Sequence, residues 1–139
     1  MYTGEYEHTI DAKGRMFLPA KFRSQMGDKV ILARGIDHCV SIYPTEEWDK
    51  YIEKIQSLPV VKARKAKRLI CSTAAETEID GQGRVLIPLS LREYAGLGKN
   101  VKVIGNGEIA EIWTIDGYEG FLGEMSAEEL ENELIELGL

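Results

Sequence analysis

Hydrophobic and polar positions along this chain follow two periods that alternate in a regular order. Residues 5–10 alternate polar with bulky side chains, which predicts a half-buried strand. Asp11 to Gly14 carries turn chemistry, and Arg15-Met16-Phe17-Leu18 resumes the extended pattern, so Arg15 is expected where the returning strand leaves the turn. Pro19 suits the start of a short helix over 19–26, with Gly27 as its stop. Residues 30–33 and 40–43 read as two further strands around the Gly35-Ile36-Asp37 loop. From Pro44 the period lengthens. Trp48, Tyr51, Ile52 and Ile55 recur at helical spacing, with Asp49, Lys50, Glu53 and Lys54 on the other side, so the aromatic stripe belongs in the core or at a subunit interface.

Pro59 breaks the pattern, and a second helix is expected over 60–71. Ala63, Ala66 and Ile70 form its narrow apolar stripe, and Lys62, Arg64, Lys65, Lys67 and Arg68 cover the remainder. The order then recurs: strands over 73–79 and 84–87, a helix over 88–95 stopped by Gly96, and strands over 101–104 and 109–115. Tyr118, Phe121 and Leu122 echo Trp48, Tyr51 and Ile52. At the end, Ser126 and Glu129 form a capping box, Leu130, Leu134 and Leu137 share one face, and Gly138 stops the helix. This last helix, Glu-rich on its other face, reads as a docking element covering apolar surface on this subunit or on a neighbour.

The recurrence extends to individual residues. Asp11-Ala12-Lys13-Gly14-Arg15 returns sixty-nine positions later as Asp80-Gly81-Gln82-Gly83-Arg84. Ile10 matches Ile79, Pro19 matches Pro88, Arg23 matches Arg92 and Gly27 matches Gly96. Two copies of one small unit make up the chain.

Charge changes this picture more than composition does. The net charge of −6 is unpromising for a nucleic-acid binder, yet residues 1–69 hold 13 Lys and Arg against 9 Asp and Glu, whereas residues 70–139 hold 4 against 14. A basic face inside an acidic total fits that asymmetry. No apolar run approaches the roughly 20 residues of a membrane span, and Met1-Tyr2-Thr3-Gly4 opens without a basic-then-apolar signal segment. Cys39 and Cys71 form no close pair, and both are expected to be small buried side chains in a reduced compartment.

Candidate chemistry is sparse. His8 and His38 have no ligand partner at three or four residues, so no metal is expected. No G-x-S-x-G, P-loop or G-x-G-x-x-G context is present, and Gly105-Asn106-Gly107 lacks a following helix to hold a phosphate. Asp11 and Asp80 each precede an Arg by four residues across a tight turn, which points to an ion pair or backbone cap rather than a catalytic pair. No enzymatic activity, cofactor or small-molecule substrate is expected. Arg23 and Arg92 are explained about equally by a helix-surface salt bridge.

Two D-x-x-x-R motifs, each after a strand and running into R-x-x-x-P (Arg15 to Pro19, Arg84 to Pro88) and a short helix, resemble the MraZ family, duplicated members of the SpoVT-AbrB transcription-factor superfamily. The likeness covers essentially the whole chain. It implies an α+β, mainly β fold: a pseudo-two-fold barrel from two swapped-hairpin units at 4–56 and 73–123, with a basic helical connector at 57–72 and an acidic C-terminal helix at 124–139. It implies a cytoplasmic, nucleoid-associated bacterial regulator. Such a protein forms a ring-like homo-oligomer and binds double-stranded DNA at short direct repeats upstream of the division and cell-wall operon, usually repressing it. Carried onto this sequence, Arg15, Lys13, Arg84 and Gln82 are the DNA-facing positions, while Asp11, Gly14, Asp80 and Gly83 brace the turns. Lys21 and Arg23 are auxiliary candidates. Lys13 has the uncharged Gln82 as its counterpart, so the first copy is expected to be the main reader. The rivals are a non-specific nucleoid-coating or antitoxin-like DNA binder, and an oligomeric interaction module whose arginine turns meet acidic partners.

Overall fold

Strands of the two repeats pair mainly with each other, and the pairing produces one shared core. The computed structural model describes residues 1–139. Its elements are β1 (Glu5–Thr9), β2 (Arg15–Phe17), α1 (Ala20–Met26), β3 (Lys29–Arg34), β4 (Val40–Pro44), α2 (Thr45–Gln56), α3 (Val60–Thr73), β5 (Ala75–Glu78), β6 (Arg84–Leu86), α4 (Leu89–Tyr94), β7 (Asn100–Asn106), β8 (Ile109–Thr114), α5 (Ile115–Gly123) and α6 (Ala127–Glu136). Six strands form an antiparallel sheet in the order β1-β7-β8-β4-β3-β5, and β2 pairs with β6 as a separate ribbon. Exchanging the repeats reverses the order onto itself. Strand β1 lies against β7 with Tyr6 opposite Val103, and β5 lies against β3 with Ala75 opposite Leu32. The repeats join at β4–β8, where Val40 faces Ile112 and Ile42 faces Ala110.

The fold is α+β with a mostly antiparallel sheet, but it is not a closed barrel. β1 and β5 end the main sheet as edges, and the ribbon touches it by an isolated bridge from Ile10 to Met16. Strands β2 and β6 are three residues long, and Pro19 and Pro88 follow two residues after them. A proline has no N–H to donate to a ladder and favours a helix start, so the ribbon stops before it can extend the sheet.

Met16 and Val85, opposite each other on the ribbon, are fully buried and face the sheet. Phe22 of α1 and Leu91 of α4 complete that layer with Val30, Leu32, Val101 and Val103. The Phe22 ring meets Tyr2 and Tyr6 edge-on, with centroids 5.2 and 5.4 Å away. Val30 to Ala33 of β3 are all buried, as expected for a strand between β4 and β5 with α3 and α4 also against it.

The helical stripe predicted over 45–56 faces inward: Ile55 is buried, and Tyr43, Trp48 and Tyr51 stack on one another. Trp113, Tyr118 and Phe121 repeat the cluster. Helix α3 packs on α2 and β3, with Ala63, Ala66 and Ile70 only half-buried. It continues to Thr73, whose hydroxyl donates to the Leu69 carbonyl at 2.7 Å, so the following strand starts at Ala75 rather than 73. Because so narrow a stripe seats this helix, Cys71 lies exposed; Cys39 alone is buried, and burial raises its thiol pKa, leaving it inert. Helix α6 has its capping box at Ser126 and Glu129, but every residue in it is exposed, so it covers nothing on its own subunit.

Candidate nucleic-acid interface

The two D-x-x-x-R turns fold identically, and their side chains explain why. Gly14 and Gly83 take a φ of 86°, which admits the tight return to Arg15 and Arg84. Asp11 Oδ1 accepts the backbone N–H groups of Lys13 and Arg15, each at 2.9 Å, while Oδ2 accepts Arg15 Nε at 2.8 Å. Asp80 does the same with Gln82, Arg84 and Arg84 Nε at 2.9, 2.9 and 2.8 Å. Each aspartate thus caps its turn and anchors its arginine, both of the roles open at the sequence level.

Tethering through Nε leaves the two terminal nitrogens of each guanidinium pointing outward with four N–H donors. In the ribbon Arg15 stands opposite Leu86, and Arg84 opposite Phe17. With Met16 and Val85 turned inward, period two places Arg15, Phe17, Arg84 and Leu86 on the outer face. The two arginines are roughly 8 Å apart at Cα by strand geometry. They are not equivalent: the Arg15 side chain is 33% exposed and that of Arg84 19%. The Phe17 ring, 5.8 Å from the Arg84 guanidinium carbon, accounts for part of that cover.

The turns are also tied across the repeats. Leu18 N–H donates to the Gly83 carbonyl at 3.0 Å, and Ile87 N–H to the Gly14 carbonyl at 2.9 Å. Arg23 donates through Nη1 to the Gln82 carbonyl at 3.1 Å, and a Cβ on Gly83 would land on its guanidinium. Arg92 donates through Nε to the Ile87 carbonyl at 2.9 Å, and its Nη2 lies 3.0 Å from where a Cβ on Gly14 would be. The salt-bridge explanation of Arg23 and Arg92 is therefore replaced. Neither has an acidic partner; each packs beneath the other repeat's turn. Lys13 and Gln82 sit exposed at the two turns, and Lys21 is exposed on α1 with no ion pair.

Sequence reasoning missed Phe17 and Leu86 as surface residues. They are 47% and 51% exposed on the arginine face. The signal was available in the alternation, since with Met16 inward the apolar Phe17 must point out.

The Arg15 N–H, followed by the Arg15 guanidinium and the Lys13 N–H, holds Asp11 below its ordinary pKa of 3.8, and the Arg84 and Gln82 groups hold Asp80 down likewise. A carboxylate depressed in the folded state contributes fully above its unfolded value, and the contribution disappears as pH falls through the depressed folded value. The Lys13 and Gln82 amide resonances are therefore expected to shift with a midpoint below pH 3.8 in an NMR titration. A midpoint at or above that value would contradict the brace.

The family described as "MraZ protein, putative antitoxin-like" matches the chain twice, over residues 1–71 and 70–136. The chain belongs to the MraZ family. A relative from Halothermothrix orenii named "Transcriptional regulator MraZ" is 46% identical over 143 aligned positions covering 100% of both chains. Relatives of the same name from Acetivibrio thermocellus and Carboxydothermus hydrogenoformans are each 44% identical, over 100% and 98% of both chains respectively. In this MraZ chain the two matched segments each contain one D-x-x-x-R turn, and β2–β6 joins the two turns into one face. No helix is long and apolar enough to cross a membrane.

Proposed function

We propose that this chain is a sequence-specific DNA-binding transcriptional regulator that acts, as an oligomer, on short direct repeats in its own promoter. The repressor role at the division and cell-wall operon, the ring-like assembly and the nucleoid location follow from the family resemblance. One observation carries the reading: a two-stranded ribbon presents Arg15 and Arg84 on its outer face, each anchored by its own aspartate with donors left free. The major groove admits a two-stranded ribbon, and an anchored guanidinium can grip guanine or phosphate with two parallel bonds at little ordering cost. A separation of roughly 8 Å corresponds to about two to three base-pair steps at 3.4 Å each. Lys13 adds a phosphate contact on the first turn only, so the more exposed Arg15 and Lys13 make the first repeat the principal reader. The names of the relatives, all transcriptional regulators, support the same reading.

One ribbon makes few contacts, so several copies are needed on repeated boxes, where effective concentration multiplies weak grips. Fluorescence anisotropy across a salt series, with the DNA upstream of its own operon against a scrambled duplex, tests this. Tighter operator binding with a steep negative slope of log affinity on log salt is expected. Equal weak binding to both duplexes would favour a coating protein, and no binding at low salt would end the DNA reading. Lys13→Gln, which gives the first turn the residue of the second, is expected to weaken both duplexes alike. It is also expected to flatten the slope by about 0.9 for each phosphate that a subunit no longer neutralises.

A further inference from the structure

Helix α6 and helix α3 occupy equivalent places in the two repeats, yet only one of them is seated. Helix α3 follows α2 and packs against it and against β3; α6 follows α5 in the same order and is exposed along its whole length. Their charges are opposite and unmixed. From Val60 to Thr73 there are five cations and no acid; from Ala127 to Glu136 there are five glutamates and no cation. None of these ten side chains forms an ion pair within the chain.

Each helix also carries an unpartnered apolar stripe. Leu130, Leu134 and Leu137 of α6 are exposed at spacings of four and three residues. Beside α3 runs a groove of about 240 Å³ lined by Ala33, Tyr51, Leu69, Ile70 and Tyr94, with Arg34 lying over the Tyr94 ring. Lys62, Lys65 and Leu69 follow one another along the groove side of α3, and Glu133 flanks the leucine stripe of α6.

We propose that α6 of one copy docks in the α3 groove of a second copy, its leucines entering the groove and its glutamates meeting the lysine and arginine run. The chain's own α3 is the wrong seat. Helix α5 packs on β7 and β8, whereas α3 packs on β3, three strand steps or roughly 14 Å from β7. Only three residues, 124–126, join α5 to α6, a reach of about 10 Å. The contact is head-to-tail, second repeat to first, and a heterologous contact of this kind closes into a ring when its rotation permits. The inference deepens the oligomeric part of the reading above and rests on it. It also removes the basic run at 62–68 from the DNA-contacting surface, because that run is covered by a neighbour.

Two charge-reversed full-length variants test it. Lys62→Glu/Lys65→Glu alters α3, and Glu133→Lys/Glu136→Lys alters α6. All four positions are exposed, and each change places the favoured charge toward its helix end, so the helices persist. At low salt each variant alone is expected to fall to the single-chain mass of 15.6 kDa by light scattering, because its like-charged helices repel. Mixing the two in equal amounts is expected to restore the wild-type mass, each reversed helix meeting its complement on the other variant. A single-chain wild type, an unchanged mass in either variant, or a mixture that stays at single-chain mass would each overturn the proposal; docking within one chain gives the last of these. Operator anisotropy on the wild type keeps the two ideas apart. Operator binding by a protein whose variants keep their mass overturns the docking alone. Recovery of mass on mixing, without operator preference in the wild type, overturns the DNA reading alone.

Discussion

Arg15→Ala is expected to reduce operator affinity by more than about a hundredfold while leaving the fold and the assembly mass unchanged. Removing one bidentate grip on a guanine costs about 1–3 kcal/mol, and two neighbouring copies forfeit one each when they engage adjacent boxes. The arginine is surface-placed, with its side chain 33% exposed, and its one tether is to Asp11, so truncation opens no core cavity. Asp11 still accepts the two backbone N–H groups that shape the turn. Arg84→Ala is expected to cost less, since that guanidinium is more covered and its turn carries Gln82 in place of lysine. Operator anisotropy with light scattering decides the matter. Undiminished affinity in an intact assembly would remove the ribbon face as the reader.

Phe22→Ala is expected to give the largest loss of stability, about 3–5 kcal/mol, which is roughly 10–20 °C in Tm. Phe22 is fully buried and belongs to the single core cluster that spans both repeats. Its ring is edge-on to Tyr2 and Tyr6, so truncation removes two aromatic partners as well as leaving a cavity. Tyr2 lies outside the named strands and is held by its bridge to Gly107; without the ring beneath it, the N-terminal segment loses its main apolar anchor. Phe22→Leu, the residue found at the equivalent position 91, is expected to cost distinctly less. Guanidinium unfolding with both variants reads the difference, and a loss under about 1 kcal/mol for alanine would show that the core closes over the gap.

Much of the architecture was legible along the chain because the relevant forces are local. The turns needed only Asp, Gly and Arg at fixed offsets, since the aspartate satisfies donors two and four residues ahead. The amphipathic helix over 45–56 and the capping box at Ser126 likewise depend on neighbours within one or two turns. The same holds for the recurrence of Asp11-to-Arg15 as Asp80-to-Arg84, which declared two like units and led to the family.

What lay out of reach required knowing which distant residues meet. Arg23 and Arg92 recur at matching positions, but their roles depend on each lying beneath the other repeat's turn, fifty-nine residues away for Arg23 and Gln82. Cys71 sits on a helix whose seating stripe is too narrow to bury it, a property of how α2 and β3 receive that helix. The sequence by itself determined the duplicated unit, its turn chemistry and the residues that arm it, because hydrogen bonding and side-chain period act over a few positions. Only the tertiary structure decided that two short strands pair into one ribbon bearing both arginines, that the main sheet keeps two open edges, and that α3 is seated while α6 is not. Those outcomes depend on long-range pairing and on apolar surface shared between the repeats, which no local pattern specifies.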